Sequence, residues 1–413
     1  IMSSTNYLIN VKNLKFQYDK KQVSLDIEKL TFPKNKIITL LGPSGSGKTT
    51  FLNLLIGFLK PTKGEIQINQ DPEFSNFGFI MQDNNLYEEI SVFKNVYLSA
   101  KNSSKWKSEV RNSLWIEIKN KFLASKTKDS DVVKLDNLFA KYLKKSIHVA
   151  KHQVFFVKLM YTKILFYLLK LSFKNIKILL FLLENNYLIQ FFFKSFMPIA
   201  KKLQIEEIIN KKANNISGGQ KQRVAFAKAI IKNTKLIFMD EPFAALDAKI
   251  KESTINWLEK IKKEFDLSIV LVTHDQTDAL KISDYITVLN QGKVMQFGES
   301  EQLYNNPANL FVAKFLGFPE INFFKNQNGI DFYVRANKII VSSNKQEGFL
   351  PFKIDSKKLI GESLLYKATS LNNENPISLN FLQTNNFETQ SIIYLKINEE
   401  DLLKFDKEGQ RVL

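Results

Sequence analysis

One stretch of the chain, "FYLLKLSFKNIKILLFLL", residues 166 to 183, reads at first like a membrane span, with thirteen of eighteen residues apolar or aromatic. Lys163, Lys170, Lys174 and Lys177 fall in and just before it at spacings of seven, four and three, one narrow stripe on a helix. A central lysine costs a spanning helix about 3 kcal/mol, against about −0.5 for each Leu, Ile or Phe. No charge-free run approaches the roughly 18 residues that a span requires. The pattern predicts a lysine-striped amphipathic helix rather than a membrane span.

Short apolar runs elsewhere predict strands. "IITLL" (37–41) leads into a Gly-rich turn, and "FLNLLIGF" (51–58) suits the helix after it. "LIFM" (236–239) ends on Asp240 and Glu241, and "IVLVT" (269–273) ends on His274. Beyond residue 319, "KIIVSS", "GFLPFKI" and "SIIYLKI", punctuated by Asn and Gly, predict small β-structure.

At 413 residues the chain has room for two or three domains, and 44% hydrophobic with 24% charged residues is a globular balance. The absence of Cys excludes disulfides and thiolate metal sites. The opening "IMSSTNYLIN" has no basic-then-apolar signal pattern. The net charge of +18 is unevenly spread: residues 101–205 hold 21 Lys and Arg against 6 Asp and Glu, a net of +15. Any polyanion or lipid contact is thereby localised to that segment.

Three motifs carry chemistry. Gly42-Pro43-Ser44-Gly45-Ser46-Gly47-Lys48-Thr49-Thr50 fits a phosphate loop between strand and helix. Its glycines let backbone N–H groups curl around phosphates, Lys48 reaches the β/γ-phosphates, and Thr49 offers a hydroxyl to Mg²⁺. The strand ending at Asp240 delivers a carboxylate suited to a Mg²⁺ shell, with Glu241 placed to orient an attacking water. Ser217-Gly218-Gly219 opens a further helix whose N-terminal amides face an anion.

Together, and with "ISGGQKQRVAFAKAI" (216–230) ahead of "LIFMDE", these motifs make the chain resemble the ATP-binding subunit of an ABC transporter. The resemblance covers about 1–100 and 205–320 closely. It implies an α/β P-loop core on a mostly parallel sheet, an enlarged helical lobe and a small C-terminal β-rich domain. Its segments are 1–105 (phosphate loop and glutamine loop), 106–204 (lobe with basic insertion), 205–318 (signature and remaining core) and 319–413 (β-rich regulatory domain).

The resemblance also implies site residues. Tyr18 stacks on adenine. Residues 42–50 bind the phosphates. Gln82, with Thr49 and Asp240, touches Mg²⁺ and links the site to the transmembrane partner. Lys48, Gln82, Glu241 and His274 act in hydrolysis, His274 as the switch beside the γ-phosphate. Ser217, Gly218, Gly219 and Gln220 bind the nucleotide of a second ATPase subunit across a head-to-tail dimer, and Asp247 lies in the loop that meets that subunit. The implied ligands are ATP and Mg²⁺. The implied partners are permease subunits, a second copy or paralogue and, indirectly, a solute-binding protein, at the cytoplasmic face of the membrane and without nucleic acid. "THDQTDAL" and "FDKEGQRVL" look most like ATPases of carbohydrate or glycerol-3-phosphate importers, with polyamine importers close behind.

Gln82 and Ser217 are 135 positions apart, and the excess over the family pattern lies near 106–200. A single span there is barred, because Lys48 before it and Ser217 after it must share the ATP-containing side, and a membrane reading survives only as a hairpin of two short, charged spans. A coiled-coil arm lacks sustained heptads. The remaining expectation is an enlarged helical lobe with its own small core, whose lysine stripe touches anionic lipid. Other readings of the whole chain are a DNA-maintenance ATPase, a two-P-loop translation factor and an inactive homologue. The single P-loop, the C-terminal β region and the presence of Lys48, Asp240, Glu241 and His274 all point away from them.

Overall fold

The computed structural model describes residues 7–18, 24–69, 77–81, 86–123, 129–146, 154–174, 177–178, 187–244, 246–371 and 376–412. The chain divides into two units, one of residues 1–17, 27–38 and 49–272, the other of 18–26, 39–48 and 273–413.

The first unit holds a sheet ordered β2–β1–β4, from β1 (Tyr7–Phe16), β2 (Leu25–Pro33) and, after β3 (Ile37–Leu41) and α1 (Lys48–Ile56), β4 (Lys63–Ile68). Its second sheet runs β5 (Phe77–Ile80), β6 (Leu236–Asp240), β7 (Ser268–Thr273), then the Ile37–Ile38 end of β3. β5, β6 and β7 are parallel. Leu236 to Met239 and all of β7 are buried, which is why "LIFM" and "IVLVT" read as unbroken apolar runs instead of alternating ones.

Between β5 and β6 comes the helical lobe: α2 (Val92–Asn102), α3 (Ser104–Phe122), α4 (Ser130–Ser146), α5 (Val154–Lys174) and α6 (Tyr187–Lys202). The expected separate core exists. Trp115 and Ile118 of α3, Leu135 and Phe139 of α4, and Ile164, Leu168 and Leu171 of α5 form one buried cluster. Phe93 of α2 meets Phe192 of α6 edge-on at 5.0 Å. α7 (Gly218–Ile230) then packs on β5 so closely that a Cβ at Gly78 would collide with the Ala229 side chain. α8 (Ala248–Phe265) follows β6. No described helix is long and apolar enough to cross a membrane.

One member of the lysine stripe has a partner inside the lobe: Lys170, itself exposed, pairs its Nζ at 3.2 Å with Asp131, whose side chain is only 4% exposed. A carboxylate that buried requires a cation, and α5 supplies it. The helix ends at Lys174, and residues 175, 176 and 179–183 of the apolar stretch lie outside those described.

The second unit continues from the Thr39–Leu41 end of β3 to β8 (Tyr285–Asn290) and antiparallel β9 (Lys293–Glu299), with α9 (Gln276–Ile282), α10 (Ser300–Asn305) and α11 (Leu310–Phe315). The β-rich C-terminal region comprises β10 (Asn322–Gln327), β11 (Ile330–Val334), β12 (Ile340–Ser342), β13 (Leu350–Ile360), β14 (Ser363–Ser370), β15 (Ser378–Gln383), β16 (Ile392–Lys396), β17 (Leu402–Phe405) and β18 (Arg411–Val412). They form a four-stranded sheet, β10–β11–β17–β18, and a five-stranded one, β12–β16–β13–β14–β15. Arg335, just past β11, is buried and donates to the carbonyls of Tyr304, Ala313 and Leu316, tying this region to the ends of α10 and α11.

Candidate active site

In the second unit, residues 42–48 form a tight loop. Gly42 is buried, and a Cβ there would strike the Leu289 carbonyl oxygen of β8. Gly45 and Gly47 have φ of 77° and 100°, the left-handed region that favours glycine. The loop is thus curled in the way backbone N–H groups must curl to face an anion. Lys48 opens α1, is nearly buried, and its Nζ donates at 2.9 Å to the carbonyls of both Gly42 and Pro43. Ser46 Oγ is buried with no hydrogen-bond partner, an orphaned hydroxyl inside the loop. A cation, a helix N-terminus, left-handed glycines and an orphaned hydroxyl fit a polyphosphate. Ser44 and Gly45 are exposed at the loop's crest. His274 is exposed immediately beyond β7, beside the Asp275 cap of α9, and Tyr18 is an exposed aromatic.

In the first unit, Thr49 is exposed and Thr50 half-buried on α1. Asp240 ends β6, and both it and Glu241 are half-buried. Glu241 has φ of 44°, a left-handed backbone uncommon for a non-glycine residue, and its N–H donates to the Val272 carbonyl at 3.0 Å. The turn after it is tied to α7, because Gln222 Nε2 donates to the Pro242 carbonyl at 3.5 Å. That contact was missed by sequence reasoning; a mid-helix Gln gives no signal of it.

The start of α7 is a complete capping box. Ser217 Oγ accepts from the Gln220 N–H at 3.4 Å, and Gln220 Oε1 accepts from the Ser217 N–H at 3.0 Å. Ser217 and Gly218 are exposed. A Cβ at Gly218 or Gly219 would meet only ordinary contacts, with Leu246 at 3.7 Å and Ile250 at 3.8 Å. The chain itself therefore has room for side chains here, so its own packing does not require the bare helix start. Asp247, exposed, caps α8 by accepting from the Ile250 N–H at 3.0 Å. Gln82 and Ala245 lie outside the described residues.

Two further features had no sequence signal. Buried Asn95 accepts from the Tyr87 N–H at 2.9 Å and donates to the Tyr87 carbonyl at 3.0 Å, pinning the segment that follows the glutamine loop. Beside it, a cavity of about 370 Å³ between α2, the start of α3 and the end of α7 is lined by Tyr87, Asn95, Ser99, Ser103, Lys228 and Lys232, among others, with no acidic residue. Burial, reinforced by the Lys232 charge, lowers the Lys228 ammonium to about 8, and burial also lowers Lys232.

The family model for ABC transporter matches residues 25–244, from the start of β2 to the turn after Glu241. The chain belongs to the ABC transporter family. It is an ABC ATPase, taking ATP together with Mg²⁺. The spermidine/putrescine import ATP-binding protein PotA of Mycoplasmopsis synoviae is 33% identical to this ABC ATPase over 333 residues, covering 76% of this chain and 71% of that one. The sulfate/thiosulfate import ATP-binding protein CysA of Bacillus cereus is 28% identical over 382 residues, covering 86% and 85%. Among solved structures, cbiO1 of Clostridium perfringens, part of the ABC transporter complex cbiONQ, aligns with a TM-score of 0.48 at 19% identity, covering 73% of this chain and 92% of that one.

Proposed function

We propose that this ABC ATPase is the ATP-hydrolysing subunit of an importer, working at the cytoplasmic face of a membrane as half of a head-to-tail ATPase dimer beneath permease subunits. The observation that carries the reading is the bare start of α7, where Gly218 and Gly219 leave space that the chain's own packing does not need. Such a helix end suits the phosphates of a nucleotide held by another subunit.

Within one subunit, residues 42–50 hold the phosphates, Lys48 exchanges its loop carbonyls for phosphate oxygens, and Tyr18 stacks on the base. Glu241 orients the attacking water, and His274 senses the terminal phosphate. Mg²⁺ bound through Thr49, Asp240 and Gln82 supplies charge neutralisation on the phosphate oxygens. The Lys228 cavity, next to the segment that Asn95 pins, receives an acidic residue of the permease, and residues 319–413 regulate the dimer.

For the solute, the naming of a 33% identical relative supports a polyamine. The carbohydrate or glycerol-3-phosphate expectation finds no support in the relatives described, one named for polyamines and one for sulfate. The test is ATP hydrolysis by the complex with its native permease and binding protein in proteoliposomes, with spermidine, a sugar or sulfate supplied. Stimulation by spermidine is expected. Stimulation by sugar or sulfate alone overturns the polyamine assignment, and no ATP turnover overturns the importer reading.

A further inference from the structure

The inserted lobe carries two features that ATP chemistry does not use. The first is the outer face of α5. Ile164, Leu168 and Leu171 are buried in the lobe core, while Phe166, Leu169 and Phe173, on the opposite side of the same helix, are 66%, 53% and 88% exposed. A helix at a protein surface ordinarily presents polar residues outward. Here both faces are apolar, and exposed Lys163 lies along one edge of the outer one.

The second feature lies at the other edge of that face. A cavity of about 140 Å³ is lined by Arg111, Trp115, Tyr161, Leu165 and Leu169 among others. Leu165 and Leu169 are also exposed, so the cavity opens at the border of the outer face. Its size is close to the ~150 Å³ engineered cavity that binds benzene, enough for a short stretch of hydrocarbon. Arg111 is half-buried, its guanidinium 3.6 Å from the centroid of the Tyr161 ring, and it donates to the Tyr142 hydroxyl. Among the described residues it has no carboxylate partner. A guanidinium held flat, with donors left over, suits a phosphate or carboxylate.

We propose that the inserted lobe is a seat for anionic bilayer lipid. The outer face of α5 lies in the membrane interface, Arg111 meets one lipid headgroup, and the proximal part of that lipid's chain enters the cavity. The charge of residues 101–205, net +15, is complementary to such a surface and confined to this segment. The seat is independent of the nucleotide-binding residues.

The test uses the full chain and vesicles of phosphatidylcholine alone or mixed with phosphatidylglycerol. Flotation is expected only with phosphatidylglycerol, and the double variant Phe166→Ser, Phe173→Ser should lower it about tenfold or more while ATP hydrolysis is unchanged. Lipids brominated near the headgroup should quench a fluorescence component that Trp115→Phe removes, and Arg111→Gln should weaken that quenching more than Arg111→Lys. Equal flotation with both vesicle types, or undiminished flotation of the double variant, overturns the proposal. So does quenching by brominated decanoate in solution without vesicle binding, which would mark a free fatty-acid site. Self-association that the double variant abolishes, without flotation, would instead assign the face to a second copy of the chain and overturn the proposal.

Discussion

Lys48 Nζ donates to the Gly42 carbonyl at 2.9 Å and to the Pro43 carbonyl at the same distance, so the ammonium lies back along its own loop. Its hydrogen bonds are kept satisfied until a stronger acceptor replaces the carbonyls. Lys48→Ala should weaken ATP binding about 10- to 100-fold, as expected for a charge-assisted contact of about 1.5–3 kcal/mol. Titration with a fluorescent ATP analogue measures it, and equal affinity in wild type and variant would remove Lys48 from the site.

Glu241→Gln should lower ATP turnover by about 10²- to 10⁴-fold and leave ATP binding intact, because the carboxylate acts on water rather than on the bound ground state. With hydrolysis blocked, the ATP-bound dimer should accumulate. Size-exclusion chromatography in ATP is the measurement, alongside steady-state hydrolysis; undiminished turnover contradicts the assignment.

Ser217→Arg should fold, since position 217 is exposed, and a monomer should bind ATP as before. Dimer closure should fail, because the long side chain fills the space in front of Gly218 and Gly219. Loss of ATP binding by the monomer would show that the helix start serves its own subunit's nucleotide.

Lys228 gives a pH-dependent prediction. Its ordinary value is 10.5, and in the fold it titrates near 8. Between those values the unfolded chain holds more protons, so the stability linked to this residue rises with pH from about 8 toward 10.5. Below pH 8 the folded chain bears the full penalty of the buried ammonium. Lys228→Met should therefore raise the urea midpoint at pH 7 and lose that advantage by pH 10.5. A variant less stable at pH 7, or equally stabilised at both pH values, would contradict a buried lysine of this kind.

The sequence made the local parts of the site readable, because each is a contiguous transition. An apolar strand runs into glycines and Lys48, another ends on Asp240 and Glu241, and a hydroxyl precedes two glycines at a helix start. The β-rich end was readable as short runs, though sheet order such as β12–β16–β13 depends on pairings between strands far apart in sequence. The lobe was half readable. Its separate core follows from the apolar content of α3 to α5, yet which apolar side of α5 faces inward does not, because Ile164, Leu168 and Leu171 on one side are matched by Phe166, Leu169 and Phe173 on the other. Lys170 looked like part of an outward stripe for the same reason: nothing local to it announces Asp131, 39 positions away.

Ser217 already receives an N–H from Gln220, which leaves its own hydroxyl proton to point elsewhere. The turn is latched from within and still offers a donor outward. Of the side chains that cap helices well, Asp could close the same latch, but it would present a negative charge where a phosphate is to arrive. A hydroxyl meets both demands at once. Ser217→Asp would thus separate two duties that a single oxygen atom now combines, keeping the helix start while repelling the anion.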